Sequence, residues 1–276
     1  MRKKLCGILL FFMVLIIPLM ACSKQETDSE GPQVTVTISD GSGSLPLAGT
    51  KVTVYDVDKD GVMTLNDALS CAHEAYFPDG VDGYGSAESE FGLSMTKLWG
   101  VENGGSYGYY INNQLANSLS DAVQDGDEVV AFVYVDTQEW SDCYAFFDSS
   151  SVSVEANVPF SLTLNYYAYD ENWNMVSTPA TGAHILANGE DTGLITDDKG
   201  TVELVLPKDG RYVISAKSDS VQLVPPCCIA VVGNAGDEPS EGSTLMPYWI
   251  ALAVIVVIGG AVLAYRYVRR KKVRKA

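Results

Sequence analysis

Twelve residues, Asp56-Val-Asp58-Lys-Asp60-Gly61-Val-Met-Thr64-Leu-Asn-Asp67, constrain this chain more than any other stretch. Carboxylates at alternate positions, followed by a glycine that permits a sharp turn, bring several negative charges to one point. The spacing fits the EF-hand loop. There, side-chain oxygens at positions one, three and five, a backbone carbonyl at seven, a hydroxyl or water at nine and a carboxylate at twelve surround calcium. The expected metal ligands are therefore Asp56, Asp58, Asp60, Val62, Thr64 and Asp67, and the expected cofactor is calcium. A competing reading makes Asp60-Gly61 a turn and Thr64-Leu-Asn-Asp67 a helix-capping box. Aspartate at position twelve, shorter than the usual glutamate, predicts weak affinity and tolerance of magnesium.

Lys51-Val-Thr-Val-Tyr55, upstream of the loop, alternates as a strand does. Downstream, Leu65, Ala68, Leu69, Ala72 and Tyr76 recur at helical spacing until Pro78-Asp-Gly80 stops the run. The loop thus joins a strand to a helix and occurs once. Sensor EF-hands are paired helices that open, so the spacing predicts a structural staple. Dockerin-like assembly modules use a similar loop, but they repeat it.

The ends carry targeting signals. Met1-Arg-Lys-Lys4 followed by an apolar run predicts a signal peptide over 1–22, with Leu19-Met20-Ala21-Cys22 resembling a lipobox. A polar tether covers 23–32. Residues 234–247 read as a linker, Tyr248–Val268 as a single C-terminal transmembrane helix, and 269–276 as a basic cytoplasmic tail. The expected location is the cell membrane with the ectodomain outside and the membrane itself as one partner. All 35 acidic residues lie between Ser23 and Met246, against eight of the 18 basic ones. So acidic a surface repels nucleic acid and attracts cations.

Between the ends, two modules are expected. The first, 33–148, reads strand–strand–helix and then further strands, an α+β arrangement with one helix on a mixed sheet. The second, 151–233, has short strands punctuated by Asn188-Gly189, Asp198-Lys-Gly200 and Lys208-Asp-Gly210, the pattern of an all-β sandwich. Asp197, Asp198 and Asp209 are turn residues there. Cys71 and Cys143 could pair across a core, and adjacent Cys227 and Cys228 face opposite ways in a strand. His73, one position off the apolar stripe of its helix, reads as solvated.

Ser106-Tyr-Gly-Tyr-Tyr-Ile-Asn-Asn113, Asp121-Ala-Val-Gln-Asp-Gly-Asp127 and Val129-Val-Ala-Phe-Val-Tyr134 resemble a bacterial surface family of unknown function. That family is similar to the β-grasp domain that closes over cobalamin in transcobalamin and intrinsic factor. The resemblance covers most of 33–136 and implies a β-grasp-like head. It departs at Asn113, where glycine is usual, and in the ion loop before the helix. Residues 193–216 resemble the Ig-like or prealbumin-like repeats of surface stalks.

Tyr109 and Tyr110 are adjacent on one strand, so one of them meets solvent or a partner. With Asn112 they are the candidate residues for a flat ligand or sugar. No nucleophile elbow, phosphate loop or dinucleotide fingerprint occurs, and only two histidines are present. The sequence therefore reads as a non-enzymatic, calcium-binding surface module for binding or adhesion, its extracellular ligand a protein, glycan or corrinoid. The alternative is capture of a corrinoid cofactor for uptake.

Overall fold

The computed structural model describes residues 31–90 and 92–233. The first unit contains β1 (Gln33–Ser39), β2 (Leu47–Thr53), α1 (Leu65–Tyr76), β3 (Gly85–Ser89), β4 (Gly92–Lys97), β5 (Tyr107–Ile111), β6 (Gln114–Leu115) and β7 (Glu128–Val133). Five strands form a mixed sheet in the order β2-β1-β7-β5-β6, and β1 runs parallel to β7 at its centre. Strands β3 and β4 form a separate hairpin.

Strict alternation sorts the side chains of this sheet. Val34, Val36, Ile38, Val129, Ala131 and Val133 join Leu65, Ala68, Leu69 and Ala72 of α1 in one core. Leu65 and Leu69 are fully buried, each stabilising by about 1.5–3 kcal/mol. The helix ends at Phe77, whose backbone is extended (φ −80°, ψ 139°), as the following Pro78 requires.

The second unit contains β8 (Cys143–Phe147), β9 (Ser151–Val154), β10 (Phe160–Tyr169), β11 (Met175–Pro179), β12 (His184–Ala187), β13 (Glu190–Ile195), β14 (Thr201–Leu204), β15 (Gly210–Lys217), β16 (Leu223–Val224) and β17 (Cys228–Val232). One sheet runs β11-β10-β8-β16 with β14 also on β10, and the other runs β13-β12-β15-β17-β9. Phe147, Leu162, Leu164 and Leu204 from the first interleave with Ile185, Ile214, Ala230 and Val232 from the second. This unit is an Ig-like β-sandwich.

The opposite face of the first sheet is not free. Tyr110, Phe132, Val130 and Tyr134 pack against Tyr144, Phe146, Tyr167 and Val224 of the sandwich. The Phe132 ring lies across Gly108, where any Cβ would fall on it. At the hairpin tip, Asn112 and Asn113 both take left-handed backbone angles (φ 51° and 59°), as a tight turn needs. Asn113 then latches the units. Its side-chain oxygen accepts from the Tyr144 hydroxyl at 2.7 Å and its carbonyl from Tyr167 at 3.1 Å. Arg211 donates to the Ala48 carbonyl at 2.5 Å, and Ser150 bonds to Glu128. The first sheet is thus a middle layer between α1 and the sandwich.

Three expectations change. The expected fold class is corrected: the described residues are mostly β-sheet with one α-helix, and none of their helices is long and apolar enough to cross a membrane. The segments expected as signal peptide, lipobox, linker, span and tail lie outside the described residues, as does the tether apart from residues 31–32. Strand β8, read as the end of the first module, pairs with β10 and β16 of the sandwich instead. Cys71 and Cys143 are free thiols, each packed with a different core.

Candidate metal centre

The loop after β2 places carboxylate oxygens of Asp56, Asp58 and Asp60 all within 4.8 Å of one another. Backbone amides hold this shape. Gly61 donates to Asp56 at 2.8 Å, and Asp60 donates to Asp56 at 3.1 Å and Asp58 at 3.2 Å. Val62 donates to Asp60 at 2.8 Å. Two left-handed residues, Lys59 (φ 64°) and Gly61 (φ 92°), turn the chain so that these amides point inward.

Electrostatics in the loop are uneven. The Gly61 amide is the main reason the Asp56 carboxyl sits below its ordinary pKa. At Asp58 the Asp60 amide pulls the same way, but partial desolvation and the charges of Asp60 and Asp67 outweigh it and push the pKa up. The cluster carries more negative charge than its own donors balance.

The other half of the expected ligand set is engaged elsewhere. Asp67 is fully buried, and its carboxylate accepts from the Thr64 amide (2.9 Å), the Thr64 hydroxyl (2.7 Å) and the Val57 amide (3.0 Å). Thr64 in turn caps α1 by accepting from the Asp67 amide at 3.3 Å. The capping box is therefore formed. The structure brings together three of the six expected ligands, Asp56, Asp58 and Asp60; it commits the Thr64 and Asp67 side chains to the helix start. The Val62 amide is tied to Asp60, which sets its peptide in the same turn. An all-oxygen set of three carboxylates fits a hard divalent cation that keeps several waters.

The candidate ligand residues of the aromatic strand do not converge. Tyr109 packs on the helix side of the sheet, and burial raises its pKa. Tyr110 lies at the other face, buried under the sandwich and stacked on Tyr144. Asn112 serves the turn: its amide group donates to Asp127 at 2.8 Å and accepts from the Glu128 amide at 2.9 Å.

His73, expected in solvent, is fully buried. Its Nδ1 donates to the Leu69 carbonyl at 2.6 Å and its Nε2 accepts from the Trp99 amide at 3.0 Å, which fixes the neutral Nδ1–H form. Phe77, Tyr84 and Trp99 surround the ring, and this burial lowers its pKa. His73 continues the row Leu65–Leu69 at a spacing of four, and it is covered by Phe77 on the same row and by Tyr84 and Trp99 from beyond the helix.

No family model matches the chain, and no curated protein does. Solved structures share a distant likeness. The N-terminal four Ig domains of Dscam1 isoform 9.44 are 12% identical over 54% of this chain and 32% of that one, with a TM-score of 0.22. Those of isoform 4.44 are 11% identical over 74% and 45%, with a TM-score of 0.23. The chain spans less than half the length of these structures, and so slight a likeness carries no argument. The Ig-like class rests on the strand pairing described above.

Proposed function

We propose that this protein is a calcium-binding module for binding or adhesion, working outside the cytoplasm. The observation that supports the reading is the meeting of the Asp56, Asp58 and Asp60 carboxylates on an amide-braced loop. Three carboxylate ligands with the remaining places filled by water imply weak binding. Extracellular calcium sites with dissociation constants of about 10⁻⁴–10⁻³ M work because calcium there is of that order. The ion relieves repulsion within the loop and rigidifies the strand-to-helix junction. At about ten times its dissociation constant it stabilises the folded state by about 1.4 kcal/mol.

The test is calorimetric titration of calcium into chelator-stripped protein, with magnesium alongside. One saturable site, absent in the D58A/D60A variant, is the expected result. A titration without heat, together with equal melting curves in calcium and chelator, sinks the reading. Corrinoid capture draws no support from the geometry, since the Tyr110 face that would meet a flat ligand lies under the sandwich.

A further inference from the structure

Two loops of the second unit present tryptophans to solvent. Trp173, at the β10–β11 tip, is 82% exposed, and Trp140, in the loop before β8, is 64% exposed. Both backbones are left-handed (φ 62° and 50°), an unfavourable conformation for so bulky a side chain. Each loop is braced by an aspartate. Asp170 accepts from the amides of Asn172 and Asn174, both at 2.8 Å. Asp136 accepts from the amides of Gln138 and Glu139 at 3.0 Å and from the Ser141 hydroxyl at 2.7 Å.

The two loops share one end of the sandwich. Strand β8 pairs antiparallel with β10, Tyr166 opposite Ala145. Extending that register sets Asp142 and Ser141 beside Tyr169 and Asp170. Tyr169 is 64% exposed, and its ring lies 6.3 Å from Trp173. Val135, Met175 and Val176 add exposed apolar surface. A cavity of about 180 Å³ lined in part by Val135 and Asp142 lies alongside. Scattered exposed hydrophobics are ordinary; three large aromatics at one end are not. They extend the aromatic layer between the units outward to solvent.

Charge selects the occupant. No lysine, arginine or histidine occurs between Lys97 and His184, while twelve acidic residues do. Glu139 and Glu171 flank the two tryptophans in sequence. Indole faces attract cations, and the Glu139 and Glu171 carboxylates beside them attract cations further. We propose that this end of the sandwich docks a lysine- or arginine-rich segment of a partner protein. The inference rests on the reading of the protein as a binding module, but not on its calcium site.

The probe is a fluorescein-labelled hexa-arginine peptide followed by anisotropy, in calcium and in chelator. Expected is saturable binding that W140A and W173A each weaken about tenfold. E139Q/E171Q should weaken it and flatten its salt dependence. Equal affinity in the tryptophan variants reduces the binding to diffuse attraction by an acidic surface and overturns the proposal. Binding of a neutral glucose hexamer that W173A abolishes, or self-association that W173A abolishes, overturns it in favour of a glycan or a second copy. Failure here with an intact calcium titration removes this inference alone.

Discussion

Tyr110 and Tyr144 lie face to face, ring centroids 3.7 Å apart and planes 5° from parallel. One belongs to the mixed sheet and the other to the sandwich, so the closest aromatic contact among the described residues is also the joint between the units. Aromatic pairs of this kind contribute about 0.5–1.5 kcal/mol beyond the area they bury.

Tyr144→Ala is expected to destabilise the protein by about 3–5 kcal/mol, the cost of emptying a buried aromatic site. It should also split a single calorimetric transition into two. Tyr144→Phe keeps the stack and loses only the bond to Asn113, about 1 kcal/mol. A single unaltered transition in Tyr144→Ala would show that the units melt together without this contact and would remove the stack as their joint.

Asp67→Asn and D58A/D60A should separate folding from ion binding. Asp67→Asn weakens the helix cap and the Val57 bond, and lowers stability by about 1–3 kcal/mol with or without calcium. D58A/D60A should leave stability in chelator nearly unchanged and abolish the gain from calcium. Urea denaturation in both conditions makes the comparison. Loss of stability in chelator for the double variant would mean that the aspartates serve the fold and not an ion.

His73 makes stability depend on pH in a stated direction. Its folded pKa lies below the ordinary value of about 6.5, so the unfolded chain takes up a proton that the folded chain refuses. Stability is full above about pH 6.5 and falls as pH drops toward the folded pKa. His184→Gln, which removes the surface histidine, isolates the effect. An NMR titration should find the His73 ring still neutral just below about pH 6.5, where an unburied imidazole is charged. A His73 midpoint at or above about 6.5 contradicts the buried, neutral assignment.

Asp136 is held down to about 2 by the Ser141 hydroxyl first and by the Glu139 and Gln138 amides next. A depressed carboxylate contributes above its unfolded pKa of about 3.9 and stops contributing as pH falls through its folded value. The loop carrying Trp140 should therefore keep its shape to about pH 2. Ser141→Ala should raise the Asp136 midpoint, read from its carboxyl carbon shift; an unchanged midpoint would remove the hydroxyl as the main cause.

Much of this was legible in local pattern. The helix start at Thr64, the turn at Asn188-Gly189 and the turn role of Asp197, which accepts from Lys199 and Thr201, all follow from short-range chemistry. The competition at Asp67 was also visible, since a capping box and a twelfth ligand need the same carboxylate. What sequence withheld was non-local. Alternation puts Tyr109 and Tyr110 on opposite faces, but only the fold says which face is covered and by what. Strand β8 follows β7 closely in sequence yet pairs with β10, because a ladder partner is chosen by the sheet and not by distance along the chain. His73 is hidden by Phe77 four residues on and by Tyr84 and Trp99, and the last two lie beyond any helical period.

The middle layer has a consequence for the gene as well as for the protein. Its strands, turns and loop read as a cassette that could be cut out and grafted elsewhere. Severed from the sandwich, however, the cassette would bare Tyr110, Phe132 and Tyr134 on one side, and the sandwich would bare Tyr144, Phe146 and Tyr167. Each fragment would carry a raw aromatic wound that seeks any neighbour. Recombination that keeps such a protein soluble must therefore inherit both halves together.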